Sequence, residues 1–139
     1  MATAPAALES LTASRTTARR IGWVLSGIVI AFLAMDSTMK LLALPVVTQA
    51  SAALGWPDDT STARLLGALL VSITLLYAVR RASILGAILL TGYLGGAVAT
   101  HARIGSPLFI HTLFGVYLGV LAWSGLYLRN PKLRDLLAN

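Results

Sequence analysis

Four apolar runs, separated by short polar or cationic segments, organise the chain. The first covers residues 21–42, IGWVLSGIVIAFLAMDSTMKLL. At about 1.5 Å per residue it is long enough to cross a hydrocarbon core of roughly 30 Å. The second, LLGALLVSITLLYAV, lies between Arg64 and Arg80 and is short for a crossing. A start near Thr60 or Ser61, with Asp59 as N-cap and Arg64 snorkelling outward, restores its length. The third run covers residues 83–100 and the fourth residues 108–128. Short connections make the second, third and fourth runs antiparallel neighbours, so the expected architecture is all-α, a polytopic transmembrane four-helix bundle.

The bundle is expected over residues 21–129, with an N-terminal tail over 1–20 and a C-terminal tail over 130–139. Residues 1–17 are rich in Ala, Ser and Thr and read as a flexible or surface-lying segment. Arg15, Arg19 and Arg20 precede the first run, but no small-x-small cleavage pattern follows it and three more runs do, which reads as a retained signal-anchor. The sizeable loop is residues 43–59. There Pro45 suits the first turn of a short interfacial helix through Leu54, with Val46, Val47, Ala50 and Leu54 as its apolar face. Gly55 is a natural stop, and Trp56 belongs near the lipid headgroups. A lid over the bundle and a passive connector both fit this pattern.

Composition sharpens the assignment. Of 139 residues, 57% are hydrophobic and 12% charged, more apolar surface than a soluble domain of this size can hide. The absence of cysteine excludes disulfide scaffolds, thiolate nucleophiles and thiolate-ligated iron–sulfur clusters, so a redox role would need a bound cofactor. The net charge of +6 is spread between the apolar runs rather than gathered on a face, which speaks against a nucleic-acid partner. It speaks instead for membrane orientation. With the N terminus cytoplasmic, Arg15, Arg19, Arg20, Arg80, Arg81, Arg129, Lys132 and Arg134 fall inside, and Lys40, Arg64 and Arg103 fall outside. Both termini are therefore expected on the cytoplasmic side of the membrane.

Close helix packing is expected from glycine. Gly92 and Gly96, reinforced by Gly95, and Gly115 with Gly119 form small-xxx-small pairs suited to contacts within the bundle or across a homodimer. The glycines of GYLGG lie inside an apolar run with no strand before them, so they do not form a dinucleotide-binding turn.

Threading the helices sends the polar residues to one half of the bundle. Asp36 and Lys40, four apart, share a face in the outer half of the first helix. His101 and Arg103 end the third helix there, and His111 lies one turn into the fourth. A carboxylate inside an apolar helix must be paired, hydrogen-bonded or protonated, which makes Asp36 the sharpest candidate for ligand or proton handling; a purely structural pairing with Lys40 or Arg103 fits as well. His101 suits proton exchange or a hydrogen bond to a quinone-like carbonyl, and also simple interfacial capping. The expected ligand-binding set is Asp36, Lys40, Tyr93, His101, Arg103 and His111, with Asp36 and His101 the candidates for chemistry. Asp36, His101 and His111 offer metal-compatible atoms, but their spacing matches no metal signature and no metal is expected.

Four segments carry a resemblance: GAILLTGYLGGAVATHARIG at 86–105, DSTMKLLALP at 36–45, LGWP at 54–57 and WSGLYLRNPKLR at 123–134. Together they resemble the DoxX-like family of small bacterial membrane proteins, over nearly the whole chain from about Trp23. The resemblance implies a compact four-helix membrane protein with recurrent polar positions at Asp36, Lys40, His101 and Arg103. The family's namesake is similar to a subunit of a membrane thiosulfate:quinone oxidoreductase, and other relatives are linked to redox or detoxification systems. Arg80 stands where relatives often carry a proline. Two functions follow as expectations. One is an accessory component of a membrane redox system, binding a quinone or similar lipophile in the outer half and partnering lipids and a larger complex. The other is a non-catalytic assembly factor or permeation component, whose Asp36, Lys40 and Arg103 network staples the bundle. Four helices without inverted repeats would need dimerisation to act as a transporter.

Overall fold

The computed structural model describes residues 4–57 and 59–138, and residues 1–3 and 139 of the expected tails lie outside them. Among the described residues every regular element is helical and none is a strand: α1 (Ala4–Leu41), α2 (Pro45–Ala53), α3 (Thr60–Ala78), α4 (Ser83–Arg103), a π-helical turn (Leu108–Thr112), α5 (Phe114–Arg129) and α6 (Pro131–Ala138). Among the described residues, four stretches are long and apolar enough to span a membrane: Thr12–Leu41, Thr60–Ala78, Ser83–Arg103 and Leu108–Arg129.

The helix boundaries follow from local chemistry. At the start of α3, Asp59 is the N-cap and its carboxylate accepts from the Thr62 backbone N–H at 2.6 Å. That bond, with a second from the Ser61 hydroxyl, holds the Asp59 carboxyl below its ordinary value of 3.8. Pro45 opens α2, and Gly55 at φ +80° turns the chain away after it. The expected N-terminal tail is instead helical from Ala4, as a continuation of α1. Alanine there favours helix, while Thr12, Thr16 and Thr17 turn their hydroxyls back onto carbonyls three or four residues earlier. The C-terminal tail is also helical, and its Leu133 is buried against the bundle.

In cross-section the spans form a square. Helix α1 packs on α3 and α5, and α4 packs on the same two from the opposite corner. The core runs up the middle through Val29, Leu33, Leu70, Leu90, Leu118 and Leu126. Large apolar side chains such as Val24, Ile28, Leu65, Leu75, Ile88 and Val120 face outward, as a lipid-solvated bundle requires.

The glycines that bring helices together differ from those expected. Gly22 and Gly125 form the α1–α5 crossing: a Cβ on Gly22 would lie 2.6 Å from the Arg129 backbone nitrogen, and one on Gly125 would lie 2.7 Å from Ser26 Oγ. Gly86 backs onto the Tyr77 backbone, joining α4 to α3, and Gly67 faces the Leu41 backbone on α1. Gly115 does press on α4, at Leu94 and Val98. Gly92, Gly95 and Gly96 have no neighbour within 4 Å at their Cβ positions, so this small-residue stripe makes no close contact within the chain. Spacing along one helix does not say whether another helix faces it.

A buried hydrogen-bond relay joins three helices close to the α1–α5 crossing. The Tyr77 hydroxyl on α3 donates to the Ala122 carbonyl on α5 at 2.7 Å. Its only proton is then committed, so the Ser26 hydroxyl on α1, 3.1 Å away, must be the donor to Tyr77 Oη. Farther along, Trp123 Nε1 donates to Thr91 Oγ1 at 2.8 Å, linking α5 to α4.

Gly125→Val is expected to destabilise the fold by at least ~1–3 kcal/mol, because the α1 backbone at Ser26, 2.9 Å from the added Cβ, must yield as well as the Ser26 hydroxyl. Gly95→Ala is expected to be neutral or slightly stabilising. Thermal unfolding of both variants in one detergent checks the contrast, and equal losses would contradict this packing.

Candidate functional site

Toward the end bearing α2 the four spans surround a cavity of about 660 Å³, although α1 and α3 stay in close contact there at Leu41 and Gly67. Its walls are mostly apolar, with Phe32 and Met39 from α1, Leu66 from α3, Tyr93 and Ala97 from α4, and Phe114 from α5. Gly92 and Gly96 line it too, so the stripe without helix contacts leaves room in the cavity wall. Helix α2 lies across the mouth, turning Val46, Val47 and Ala50 onto the cavity.

Five of the six predicted ligand-binding residues converge here. Asp36, Lys40, Tyr93, His101 and His111 all line the cavity. Lys40 Nζ donates to Asp36 Oδ1 within α1, and both side chains are largely shielded. Such a pair is a dipole with little net charge, anchored to one helix. It therefore cannot staple two helices.

The imidazoles come from separate elements. His101 sits in the last turn of α4, its Nδ1 3.0 Å from Ser106 Oγ. His111 sits in the π turn, and the two rings lie 5.9 Å apart between centroids. The expected fourth helix thus begins with one wide turn. Pro107 precedes it, and the Thr112 amide reaches back five residues to the Pro107 carbonyl at 3.2 Å, as Leu113 does to Leu108 at 2.8 Å. The Thr112 hydroxyl closes the turn by donating to the Ser106 carbonyl at 3.2 Å. Among the described residues, no three His, Asp, Glu or Cys side chains gather as a metal-ligand group.

Arg103 stands apart from the expected cluster. Its Nη2 donates to the Leu54 carbonyl at 2.8 Å, and a Cβ on Gly55 would lie 2.8 Å from the same nitrogen. The guanidinium therefore clamps the C-terminal end of α2, where unpaired carbonyls carry partial negative charge. The Asp36, Lys40 and Arg103 network does not form, because Arg103 turns outward past the end of α4 to the lid. At the other end of α2, Ala43 is held at φ +48°, a left-handed conformation unusual for a residue with a Cβ. The lid is thus bounded by the left-handed turn at Ala43 and the Arg103 clamp, with no residue of α2 itself buried.

The pattern of the DoxX-like family matches residues 24–125, which include the whole cavity lining, α2 and both histidines. The chain belongs to the DoxX-like family. It is accordingly a multi-pass membrane protein, and the four apolar spans agree. No curated protein and no solved structure shows a significant match to this DoxX-like chain.

Sequence reasoning missed two residues at the α6 end of this DoxX-like bundle. Tyr77 is fully buried and relays hydrogen bonds between helices. Arg129, counted as a flanking charge, is 5% exposed; it donates to the Tyr77 carbonyl at 2.8 Å and stacks over the Trp23 and Tyr77 rings. A tyrosine within an apolar run and an arginine abutting Asn-Pro were the available signals.

Arg103→Ala is expected to release the lid without unfolding the bundle. Hydrogen exchange of the α2 amides should quicken by about tenfold, the equivalent of one hydrogen bond to a charged donor, while the core of α3 exchanges unchanged. Unaltered exchange across Pro45–Ala53 would contradict the clamp.

Proposed function

We propose that the α2-end cavity binds a quinone or similar lipophilic molecule, and that the protein is an accessory component of a membrane redox system. The observation carrying this reading is the convergence of Asp36, Lys40, Tyr93, His101 and His111 in one apolar chamber of about 660 Å³ beneath a lid. That size falls in the range of small-molecule sites, which combine apolar walls with a few convergent polar groups. The internally neutralised Asp36–Lys40 pair suits a polar, uncharged head group better than a free anion. A quinone carbonyl would accept from Lys40 or from a protonated imidazole nitrogen. His101, backed by Ser106, is the group to pass a proton to or from it, while the space beside Gly92 and Gly96 takes the start of an apolar tail. Electrons would come from a partner complex.

A bundle merely stapled by its polar residues finds less support, because the one ion pair among the described residues lies within α1. Membrane orientation belongs to the same proposal. The cationic α3–α4 turn and α6 lie at one end, so that end is assigned to the cytoplasm and the lid to the opposite side of the inner membrane. A reporter fused after Asn139 is expected to be active only as a cytoplasmic reporter; activity of a periplasmic reporter there would reverse the assignment.

The ligand itself is tested by native mass spectrometry of protein gently extracted from its own membrane. The wild type is expected to carry a reproducible quinone-sized or other lipophilic adduct. That adduct should be lost from folded Asp36→Asn, His101→Ala double variants and from Gly96→Leu, which projects into the chamber from a position whose Cβ meets no neighbour within 4 Å. Wild type carrying nothing beyond ordinary phospholipid, or an adduct retained equally in all the folded variants, would overturn the reading.

A further inference from the structure

A second cavity, of about 420 Å³, lies at the opposite end of the bundle, where the α3–α4 turn meets the start of α6. Its lining includes Arg80, Arg81, Arg129 and Lys132, and no carboxylate. Arg80 and Arg81 are exposed on the turn and Lys132 is exposed on α6, so these three form a flexible cationic rim.

Arg129 differs from them because it is buried. Its guanidinium is held by the Tyr77 carbonyl and by two aromatic faces, at 4.6 Å for Trp23 and 4.9 Å for Tyr77. None of these is a counter-ion, and its Nε has no hydrogen-bond partner. The one ion pair among the described residues is Asp36–Lys40, at the far end of α1. A buried cation in an apolar bundle is unfavourable until an anion neutralises it. The first turn of α4 adds to the positive field: Ser83 and Ile84 line the cavity, and this helix start has no side-chain cap.

We infer that this second cavity is a phosphate-binding site, and that its ligand is the headgroup of an anionic phospholipid. The phosphate supplies the missing counter-charge to Arg129, while Arg80, Arg81 and Lys132 close over its oxygens. A lipid fits because the lining is also apolar, through Trp23, Ile84 and Leu126. Trp23 is part-exposed, as at a headgroup boundary, and Val24 and Ile88 continue outward-facing apolar surface deeper along α1 and α4. The site is separate from the α2-end chamber and does not depend on what that chamber holds.

The test titrates the purified full chain in a neutral detergent with phosphatidylglycerol and, separately, phosphatidylcholine, reading bound lipid by native mass spectrometry. Phosphatidylglycerol is expected to be retained preferentially. An Arg80→Gln, Arg81→Gln, Lys132→Gln variant should lose affinity by roughly fivefold for each charge removed. It leaves Arg129 and the helix packing intact, and circular dichroism and monodisperse elution verify its fold. Millimolar inorganic phosphate serves as the competing probe. Displacement of the lipid by phosphate, with phosphate alone raising the melting temperature, would uphold the anion site and make soluble phosphate its ligand. Equal retention of the two lipids with no effect of phosphate, or an undiminished phosphatidylglycerol preference in the folded variant, would overturn the inference.

Discussion

Within lipid, the hydrophobic effect does not press one apolar helix against another, so a bundle holds where backbones come close and buried polar groups find partners. In this protein both conditions are met at the same level. Gly22 and Gly125 let α1 and α5 cross, Gly86 brings α4 onto the backbone of α3, and Tyr77 hydrogen-bonds to Ser26 and Ala122 in the space between. Toward the α2 end, α1 still meets α3 at Gly67 and α5 still meets α4 at Gly115. The α2-end chamber opens between these contacts, where Gly92 and Gly96 present no side chain to a neighbour.

The two ends solve the problem of polar groups in an apolar medium differently. At the chamber, Asp36 and Lys40 neutralise one another on a single helix, so their pairing imposes nothing on helix spacing and leaves the chamber's width to Tyr93, Phe114 and the bare glycines of α4. At the other end, Arg129 satisfies a carbonyl at the close of α3 and lies against two aromatic faces, which binds α5 to α3 and α1. The first arrangement keeps polar atoms available to a guest. The second spends them on the fold while keeping a charge unmatched.

Much of the architecture was legible in the sequence because it depends on local patterns. The four spans follow from run length, Asp59 from capping chemistry, and α2 from a proline, an apolar face and a glycine in the right order. The convergence of Asp36, His101 and His111 followed from counting residues along antiparallel helices. What depended on rotation between helices was not legible. The Gly92 and Gly96 pair has the same spacing as a packing motif, yet it faces a void, and Arg103 is near the chamber in sequence but turns to the lid. Arg129 looked like a flank charge because hydropathy averages do not register a single buried guanidinium.

The π turn before α5 fixes the phase of everything upstream of it. A wide turn is an α-helix carrying one surplus residue, and a residue in an α-helix is worth about 100° of rotation. Losing one position between His111 and Leu113 would tighten the turn and swing His111 by about a quarter of a circle relative to Gly115 and Gly119, which face α4. Length in this short segment is therefore an angular setting: substitutions there alter the character of the chamber wall, whereas an insertion or deletion alters the direction in which the imidazole points.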